Sequence, residues 1–355
     1  MQIDASPING FADRVLGILN DGAIALMLSL GHRAGLFDAM ARLDFATSAE
    51  IAEEAGLVER YVREWLGAMV TARIVELCAE RATYRLPAEH AEVLTRRSRG
   101  LNLACTAQWL PLLGSVEDRV LACFERGGGV PSSAFERFHQ VMSELSDQTV
   151  VAALHGAILP LVPGGVAALE RGLDVLDIGC GRGRALNELA AAHPRSRFTG
   201  YDLSVDAIAS ARAEARERGL ANATFEVRDV SDLGARGAFD LVTAFDAVHD
   251  LAHPAAALAA VAAALRPDGF FLMQDVAGTS HVDRDASLPL APLLYSMSCL
   301  HCTTVSLAAG GAGLGAMWGQ ETALRMLAAA GFGQIEVHSL PHDPINLYFL
   351  ARPHR

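Results

Sequence analysis

The stretch VLDIGCGRGRA, Val175–Ala185, decides the fold of the longer part of the chain. Apolar residues lead into Asp177, three glycines follow, and a helical pattern begins directly after them. The three glycines are Gly179, Gly181 and Gly183. Glycine lets the backbone approach a ligand closely, and the N-terminus of the next helix offers free N–H groups. A dinucleotide-binding loop would have its third glycine at Arg184, so the GxGxG spacing predicts a nucleotide-type ligand without identifying it.

Short apolar strands alternate with helical segments on both sides of this loop. The predicted strands are LDVLDIG, RFTGYDL, TFEVRDV, FDLVTAF and GFFLMQD, between residues 173 and 275. This alternation favours a parallel sheet that helices cover on both faces. Two later strands, GQIEVHSLP and INLYFLARP, lie too close together for a helix between them, so we expect them to pair antiparallel. We therefore predict an α/β fold with a Rossmann-like, mostly parallel seven-stranded sheet and an antiparallel C-terminal hairpin.

Carboxylates end the predicted strands at one edge of this sheet. Asp202 ends RFTGYDL, where it is placed to accept hydrogen bonds from ribose hydroxyls, and Asp229 ends TFEVRDV, where it could meet the amine of an adenine. Asp246 follows the fourth strand. A ring of carboxylates suits a sulfonium cation better than a pyrophosphate, provided that Arg182 and Arg184 point to solvent. The alternative is that these aspartates only cap helices.

With this loop and these acids, residues 173–355 resemble the class I S-adenosylmethionine-dependent methyltransferases. The resemblance implies S-adenosyl-L-methionine as the cofactor and S-adenosyl-L-homocysteine as the product. It implies that Asp177 lies near the methionine ammonium, Asp202 at the ribose and Asp229 at the adenine. The remaining expected cofactor contacts are the three loop glycines, Leu203, Val230, Phe245, Asp246, His249 and Phe138.

The resemblance extends over nearly the whole chain. The motifs FDAVHDLAHP and HCTTVSLAAGGAGLGAMWG are similar to those of a bacterial group of winged-helix methyltransferases that mycobacterial members typify. The plan is also similar to that of the plant-type small-molecule O-methyltransferases. In that family the N-terminal winged-helix domain serves dimerisation, which implies a homodimer here.

The N-terminal part has the pattern of a winged helix. Thr47 or Ser48 can cap a short helix that Gly56 ends, a longer helix starts near Glu59, and two short strands follow in IVELCAERATYRLP. Before them, the helical stretch from Gly10 to Ala41, with breaks near Gly31 and Gly35, is so apolar that it needs a partner surface such as a second subunit. We predict a winged-helix and dimerisation domain at 1–100, a helical linker and cofactor cover at 101–168, and the cofactor-binding methyltransferase domain at 169–355.

The candidate catalytic residues follow the fourth strand. The carboxyl ends of parallel strands face the ligand, so His249 and Asp250 should lie near the methyl donor. In the plant-type O-methyltransferases a His in an HDW motif is the general base; here Leu251 replaces the Trp, so only two positions match. A His at this place can take a hydroxyl proton near neutral pH. The alternative is that His249 caps a helix or packs against the cofactor.

A second cluster lies between the fifth strand and the last helix, where such enzymes build the acceptor pocket. Its aromatic and polar members are Tyr295, Cys299, His301, Cys302 and Trp318. Cys299 and Cys302 form a CxxC motif around His301, but a zinc site would need two more ligands, so we predict small buried residues and no metal. Phe138, His139 and Met142 share a helical face that could close over the cofactor, or that belongs to an ordinary core helix.

Charge and composition limit the partners. The net charge of −12 disfavours nucleic acid and anionic membranes, and residues 1–100 hold 11 Arg against 14 Asp plus Glu. The candidate recognition helix offers only Arg60 and Arg63, set beside Glu59 and Glu64, so we expect it to serve dimerisation and pocket building rather than DNA binding. The six scattered cysteines and the absence of a signal-peptide plan predict a cytoplasmic protein with reduced thiols, and no segment predicts a membrane span.

The predicted function is methyl transfer from S-adenosylmethionine to a small molecule. We expect direct displacement at an oxygen, with His249 as the general base. One alternative is an N-, C- or S-methyltransferase that needs no base. The other is a cofactor-binding winged-helix transcriptional regulator.

Overall fold

The computed structural model describes residues 5–98 and 101–354 and divides the chain into two compact units, Met1–Gly114 and Ser115–Arg355. The boundary falls inside the segment 101–168 that we predict as a helical linker. Each unit has its own hydrophobic core, and the two are described separately below.

The first unit is mainly helical and carries a two-stranded antiparallel sheet. Its elements are α1 Ala5–Arg33, α2 Leu36–Met40, α3 Ser48–Ala55, α4 Glu59–Thr71, β1 Glu76–Cys78, β2 Thr83–Arg85, α5 Ala88–Leu94, α6 Leu103–Thr106 and α7 Trp109–Gly114. The order α3, α4, β1, β2 is the predicted winged helix.

Local sequence signals explain the winged helix. The Thr47 hydroxyl accepts a hydrogen bond from the Glu50 N–H, and the Glu50 carboxylate accepts one from the Thr47 N–H, which forms a capping box at the start of α3. Gly56, with φ of 67°, ends the helix. On α4, Arg60 pairs with Glu64 and Arg63 with Glu59. The two arginines of the candidate recognition helix are therefore paired within their own helix.

Helix α1 differs from the prediction in one respect. It continues through Gly31 and ends at Arg33, before Gly35 with φ of 73°. Gly31 does not break the helix: a Cβ there would lie 2.6 Å from the Trp65 ring, so its lack of a side chain lets α1 pack on α4. Phe37 meets the Trp65 ring edge to face at a centroid distance of 5.2 Å.

The outer part of α1 exposes large apolar side chains. Phe11 is 66% exposed, Leu16 59% and Leu19 64%. Within the described residues, Ile8–Arg33 is the one unbroken helix long and apolar enough to cross a membrane by length and composition. The apolar face predicted from the sequence thus lies on the surface of this chain.

The second unit contains the large sheet. Its elements are α8 Glu117–Arg126, α9 Phe138–Thr149, α10 Gly165–Arg171, β3 Asp174–Ile178, α11 Arg184–Ala192, β4 Arg197–Asp202, α12 Val205–Glu217, β5 Ala223–Val227, β6 Phe239–Phe245, α13 Pro254–Ala264, β7 Leu265–Val276, α14 Val282–Asp285, α15 Ala291–Met297, α16 Thr303–Ala308, α17 Gly319–Ala329, β8 Phe332–Leu340 and β9 Asp343–Pro353. Short 3₁₀ or π turns lie between them, including Val248–Asp250 and Ser298–Cys302.

The seven strands are ordered β5-β4-β3-β6-β7-β9-β8. Strands β3 to β7 are parallel, whereas β9 pairs antiparallel with both β7 and β8, so the predicted sheet and hairpin are confirmed. Successive strand residues point to opposite faces, and a separate core covers each face, with α13 and α17 on one and α10 to α12 on the other. The chain runs outward from β3 on one side and resumes at β6 on the other. Open α/β sheets bind ligands at such a switch point.

Candidate active site

The glycine loop lies at this switch point, between β3 and α11. Gly183 has φ of 71°, and a Cβ there would lie 2.6 Å from the Phe225 ring and 2.8 Å from the Ala211 side chain. Gly181 has φ of 52°, but its nearest neighbour, His139 Nδ1, would be 4.0 Å from a Cβ. Gly183 is therefore required for packing under the loop, while Gly181 faces open space.

A cavity of about 370 Å³ lies over this loop at the carboxyl ends of β3 to β6. Most of the residues predicted to contact the cofactor line it: Phe138, Asp177, Gly179, Gly181, Asp202, Leu203, Asp229, Val230, Phe245 and Asp246. Two predicted contacts, Gly183 and His249, are not part of the lining. The size is that of a small-molecule site.

Two carboxylates in this cavity have raised pKa values. Burial raises the pKa of Asp177 to about 7, Asp202 adds to the shift, and a 2.7 Å hydrogen bond from Thr243 opposes it. Burial likewise raises the pKa of Asp246 to about 7, with His249 opposing the shift and Asp275 adding to it. Asp246 also has a left-handed φ of 54°. A cation in the cavity would favour the ionised form of both groups.

Backbone N–H groups orient the two outer carboxylates. Asp202 accepts hydrogen bonds from Gly181 N at 2.9 Å and Ser204 N at 2.8 Å. Asp229 accepts one from Ser231 N at 2.8 Å, which lowers the pKa of its carboxyl group. These bonds hold both side chains toward the cavity.

The two arginines beside the loop were expected to point to solvent, but neither simply does so. Arg184 donates to both oxygens of Asp147 at 2.7 and 3.1 Å and to Glu214 at 2.6 Å. The expectation is wrong for Arg184 because Asp147 on α9 and Glu214 on α12 are far from it in sequence. Arg182 lines the cavity. Arg184 thus fixes α9 beside the glycine loop without leaving an unpaired cation there.

Helix α9 covers one side of the cavity. Phe138, His139 and Met142, predicted to share a face, all line it. His301 stacks on Phe138 with a centroid distance of 4.1 Å and an interplanar angle of 15°. Burial lowers the pKa of His139 and of His301 and so favours the neutral form of both rings.

His249 lies behind the cavity wall. Its Nδ1 is 2.8 Å from Asp275 Oδ1, and its Nε2 is 3.5 Å from Asp250 Oδ1. Burial alone would lower the pKa of His249, but Asp275 and Asp250 together raise it well above its usual value. Asp250, unlike His249, lines the cavity. Asp275 is missing from the sequence analysis, although it ends the predicted strand GFFLMQD beside β6.

The predicted acceptor-pocket residues are spread over several environments. Of the five, His301 lines the cavity. Trp318 donates from Nε1 to Asp275 at 3.0 Å, and Tyr295 donates to Asp285 at 2.9 Å, which together with burial raises the pKa of Tyr295 to about 12.

The two cysteines of the CxxC motif lie in different environments. Cys302 is buried, but Cys299 is exposed and lines a second cavity with Phe124 and Cys123. The prediction that both cysteines are buried is therefore wrong for Cys299. The segment Ser298–Cys302 forms a π turn, in which the side chains of Cys299 and Cys302 point in different directions.

Two family models match the chain. Residues 22–96 match the Rv2258c-like winged HTH domain, and residues 169–331 match a methyltransferase domain. Both matches lie within the corresponding predicted domains.

Curated relatives share part of the chain. Nocamycin O-methyltransferase of Saccharothrix syringae is 37% identical over 100 residues, which are 28% of this chain and 36% of that protein. Ubiquinone biosynthesis O-methyltransferase of Methylobacterium sp. is 32% identical over 165 residues, 44% of this chain and 62% of that protein. The chain thus matches less than two thirds of the length of these relatives.

A solved structure is similar over nearly the full length. Human N-acetylserotonin methyltransferase in complex with S-adenosylmethionine has a TM-score of 0.68 at 18% identity, covering 97% of this chain and 98% of that one. At this identity the likeness concerns the fold. The two family models therefore identify a winged HTH domain in residues 22–96 and a methyltransferase domain in residues 169–331, and the cavity lies at the switch point of the sheet in the second of these.

Proposed function

We propose that this protein transfers the methyl group of S-adenosylmethionine to a hydroxyl oxygen of a small molecule. The observation that carries the proposal is the pair of buried carboxylates, Asp177 and Asp246, in the cavity over the glycine loop. A cavity with two such groups favours a ligand with positive charge, and S-adenosylmethionine has a sulfonium and an ammonium. Two curated relatives, nocamycin O-methyltransferase and ubiquinone biosynthesis O-methyltransferase, support oxygen as the acceptor atom.

The positions of the carboxylates support one orientation of the cofactor. In this orientation Asp177 faces the methionine ammonium, Asp202 accepts from the ribose hydroxyls and Asp229 meets the adenine. Leu203, Val230 and Phe245 supply apolar walls, and Phe138 on α9 closes the cavity from the side. The fixed hydrogen bonds of Asp202 and Asp229 reduce the entropy that binding would cost.

The chemical step in this proposal is an in-line displacement. The acceptor oxygen forms a bond to the methyl carbon as the carbon–sulfur bond breaks, and S-adenosylhomocysteine leaves. His249 Nε2 is the proposed final acceptor of the hydroxyl proton, and Asp275 orients its ring through Nδ1. Because His249 does not line the cavity, the proton would reach it by way of Asp250, whose Oδ1 is 3.5 Å from Nε2. Asp275 and Asp250 raise the pKa of His249 well above its usual value, so the ring could act as a base only where a positive charge bound in the cavity opposed that shift. Asp250 lies between this ring and the cavity.

The first unit serves dimerisation in this proposal. The exposed apolar side chains of α1 need cover, and a second copy of the chain supplies the same surface. The paired Arg60 and Arg63 leave α4 without a free basic face for DNA. The excess of Asp and Glu over Arg in residues 1–100 also disfavours DNA binding by this unit.

Calorimetric titration with S-adenosylmethionine, with NAD as the control ligand, tests the cofactor site. We expect micromolar binding of the former alone, and Asp202→Ala should abolish it. Binding of neither ligand, or of NAD, contradicts the proposal.

Replacement of His249 by Asn tests the base. We expect the variant to bind S-adenosylmethionine and to lose methyl transfer across a panel of phenolic acceptors by about 10²- to 10⁴-fold. Unchanged turnover would favour transfer without a base.

A further inference from the structure

Three potential metal ligands from distant parts of the sequence meet beneath the cavity. They are His249 and Asp250 on the turn after β6 and Cys302 at the end of the π turn before α16. One ligand atom from each lies within 4.8 Å of the other two. His249 and Cys302 are almost fully buried, and Asp250 lines the cavity. Cys299, the other cysteine of the CxxC motif, is exposed and does not belong to this cluster.

The distances fit a metal better than a hydrogen bond. His249 Nε2 and Asp250 Oδ1 are 3.5 Å apart, longer than a charged hydrogen bond. Two ligands of a tetrahedral zinc ion lie roughly 3.3–3.6 Å apart, because zinc–ligand distances are about 2.0–2.3 Å. Among the described residues, Asp250 Oδ1 is a buried atom that has no hydrogen-bond partner. A cation between the three residues would satisfy it.

The surroundings of His249 match those of a metal-bound histidine. Asp275 holds Nδ1 at 2.8 Å and itself accepts from Trp318 and from the Val276 N–H. This bond keeps the ring in place and leaves Nε2 facing Asp250 and Cys302. A carboxylate on the far nitrogen is the usual outer partner of a histidine that binds zinc.

We propose that His249 Nε2, Asp250 Oδ1 and Cys302 Sγ bind one zinc-type divalent cation under the cofactor cavity. Nitrogen, sulfur and oxygen donors together suit zinc and cobalt, whereas magnesium and calcium prefer oxygen alone. Binding replaces the thiol proton of Cys302, which leaves to solvent. Two negative ligands then balance the charge of the ion.

The site has a consequence that rests on the proposed function. If His249 accepts the proton of the acceptor, a bound ion takes up the same lone pair, so the metal-loaded protein cannot use His249 as its base. Metal binding and general-base catalysis by His249 therefore exclude each other.

Cobalt titration of the full chain, reduced and free of chelator, tests the site directly. We expect the charge-transfer absorption of a cobalt–thiolate bond, saturating at one ion per chain. Cys302→Ser should remove this absorption, and the matched variant Cys299→Ser should keep it. Asp275→Asn should keep the absorption but weaken cobalt binding by about 10- to 100-fold, because it removes the outer partner of His249.

Several outcomes would overturn the site. These are the absence of a saturating thiolate band in the wild-type protein, its persistence in Cys302→Ser, and its loss in Cys299→Ser. Asp250→Asn provides a second ligand variant at a cavity-lining position, with thermal melting as the control for folding, and unchanged cobalt affinity in that variant would also overturn the site. Neither cofactor nor acceptor is used, so failure here leaves the proposed function untouched.

Discussion

Asp246 is the residue at which the proposed cofactor binding and the stability of the fold should oppose each other most directly. Its backbone has a left-handed φ of 54°, a conformation that Asn and Asp tolerate better than other non-glycine residues. Its pKa is raised to about 7, so folding favours the protonated form. The stability that this group contributes is therefore fully present below the ordinary carboxyl pKa of 3.8 and is lost progressively as the pH rises from there to about 7.

Replacement of Asp246 by Asn should separate the two effects. At pH 8 we expect the ligand-free variant to melt at a higher temperature than the wild type, because an amide carries no buried charge. S-adenosylmethionine should bind the variant about tenfold more weakly or worse, since one favourable charge interaction is lost. Thermal melting and calorimetry at pH 5.5 and pH 8 measure both quantities.

The pH supplies the control for this prediction. At pH 5.5 folded Asp246 is mostly protonated, so wild type and variant should differ little in affinity. Their difference in melting temperature should be smaller than at pH 8 but still present, because the unfolded carboxyl is already ionised at pH 5.5. Equal affinity of the two proteins at pH 8 would show that Asp246 does not face the cofactor.

Gly183 and Gly181 form a matched pair within the same loop. Both have positive φ, but only at Gly183 would a Cβ collide with Phe225 and Ala211. We expect Gly183→Ala to lower the free energy of unfolding of the second unit by about 3 kcal/mol, from backbone strain and overpacking together. Gly181→Ala should cost about 1 kcal/mol, from backbone strain alone. Denaturant unfolding measures both, and equal costs would contradict the close packing at Gly183.

Helix α1 leaves many of its large apolar side chains exposed on the surface of the chain. Phe11, Leu16 and Leu19 are each more than half exposed. Such a continuous apolar surface is typical of an interface rather than of a surface in water. The sequence pattern predicts the helix and its apolar character, but it does not say what covers it.

Leu16→Glu combined with Leu19→Glu should convert the proposed dimer into a monomer. Two charges in each copy would be buried without partners in the interface, so association should weaken by well over tenfold. Light scattering after size exclusion measures the mass, and Leu57→Glu, at another exposed leucine of the same unit, is the matched control. A wild-type protein that is monomeric, or that requires detergent, would contradict the proposed dimer.

At the scale of the whole molecule, the cavity belongs to the second unit alone. Its lining runs from Pro131 to Ala309, which lies inside Ser115–Arg355. A ligand that binds only the folded form stabilises the unit that contains its site. The two units therefore should respond differently to S-adenosylmethionine.

Calorimetric melting should show this difference. At about 100 times its dissociation constant, S-adenosylmethionine should stabilise the second unit by about 2.7 kcal/mol and raise the temperature of its transition. The transition of the first unit should stay in place. A shift of both transitions together would mean that the two units unfold as one cooperative body.

The sequence by itself determined the features that depend on local periodicity and on residue chemistry. Alternation of short apolar strands with helices predicted the parallel sheet, and the close spacing of the last two strands predicted their hairpin. Strand-ending acids predicted the carboxylates that line the cavity, because parallel strands place their carboxyl ends at the same edge. The sequence also predicted that Thr47 caps α3 and that Gly56 ends it, since a helix end depends on a few adjacent residues.

Only the tertiary structure decided which distant side chains meet. It paired Arg184 with Asp147, placed Asp275 on His249, and turned Cys302 inward while Cys299 faces out. These contacts join residues tens of positions apart or depend on a single π turn, so no local pattern encodes them. Side-chain direction is set by packing between elements, which is why the sequence could name the candidate residues of the site but not their partners.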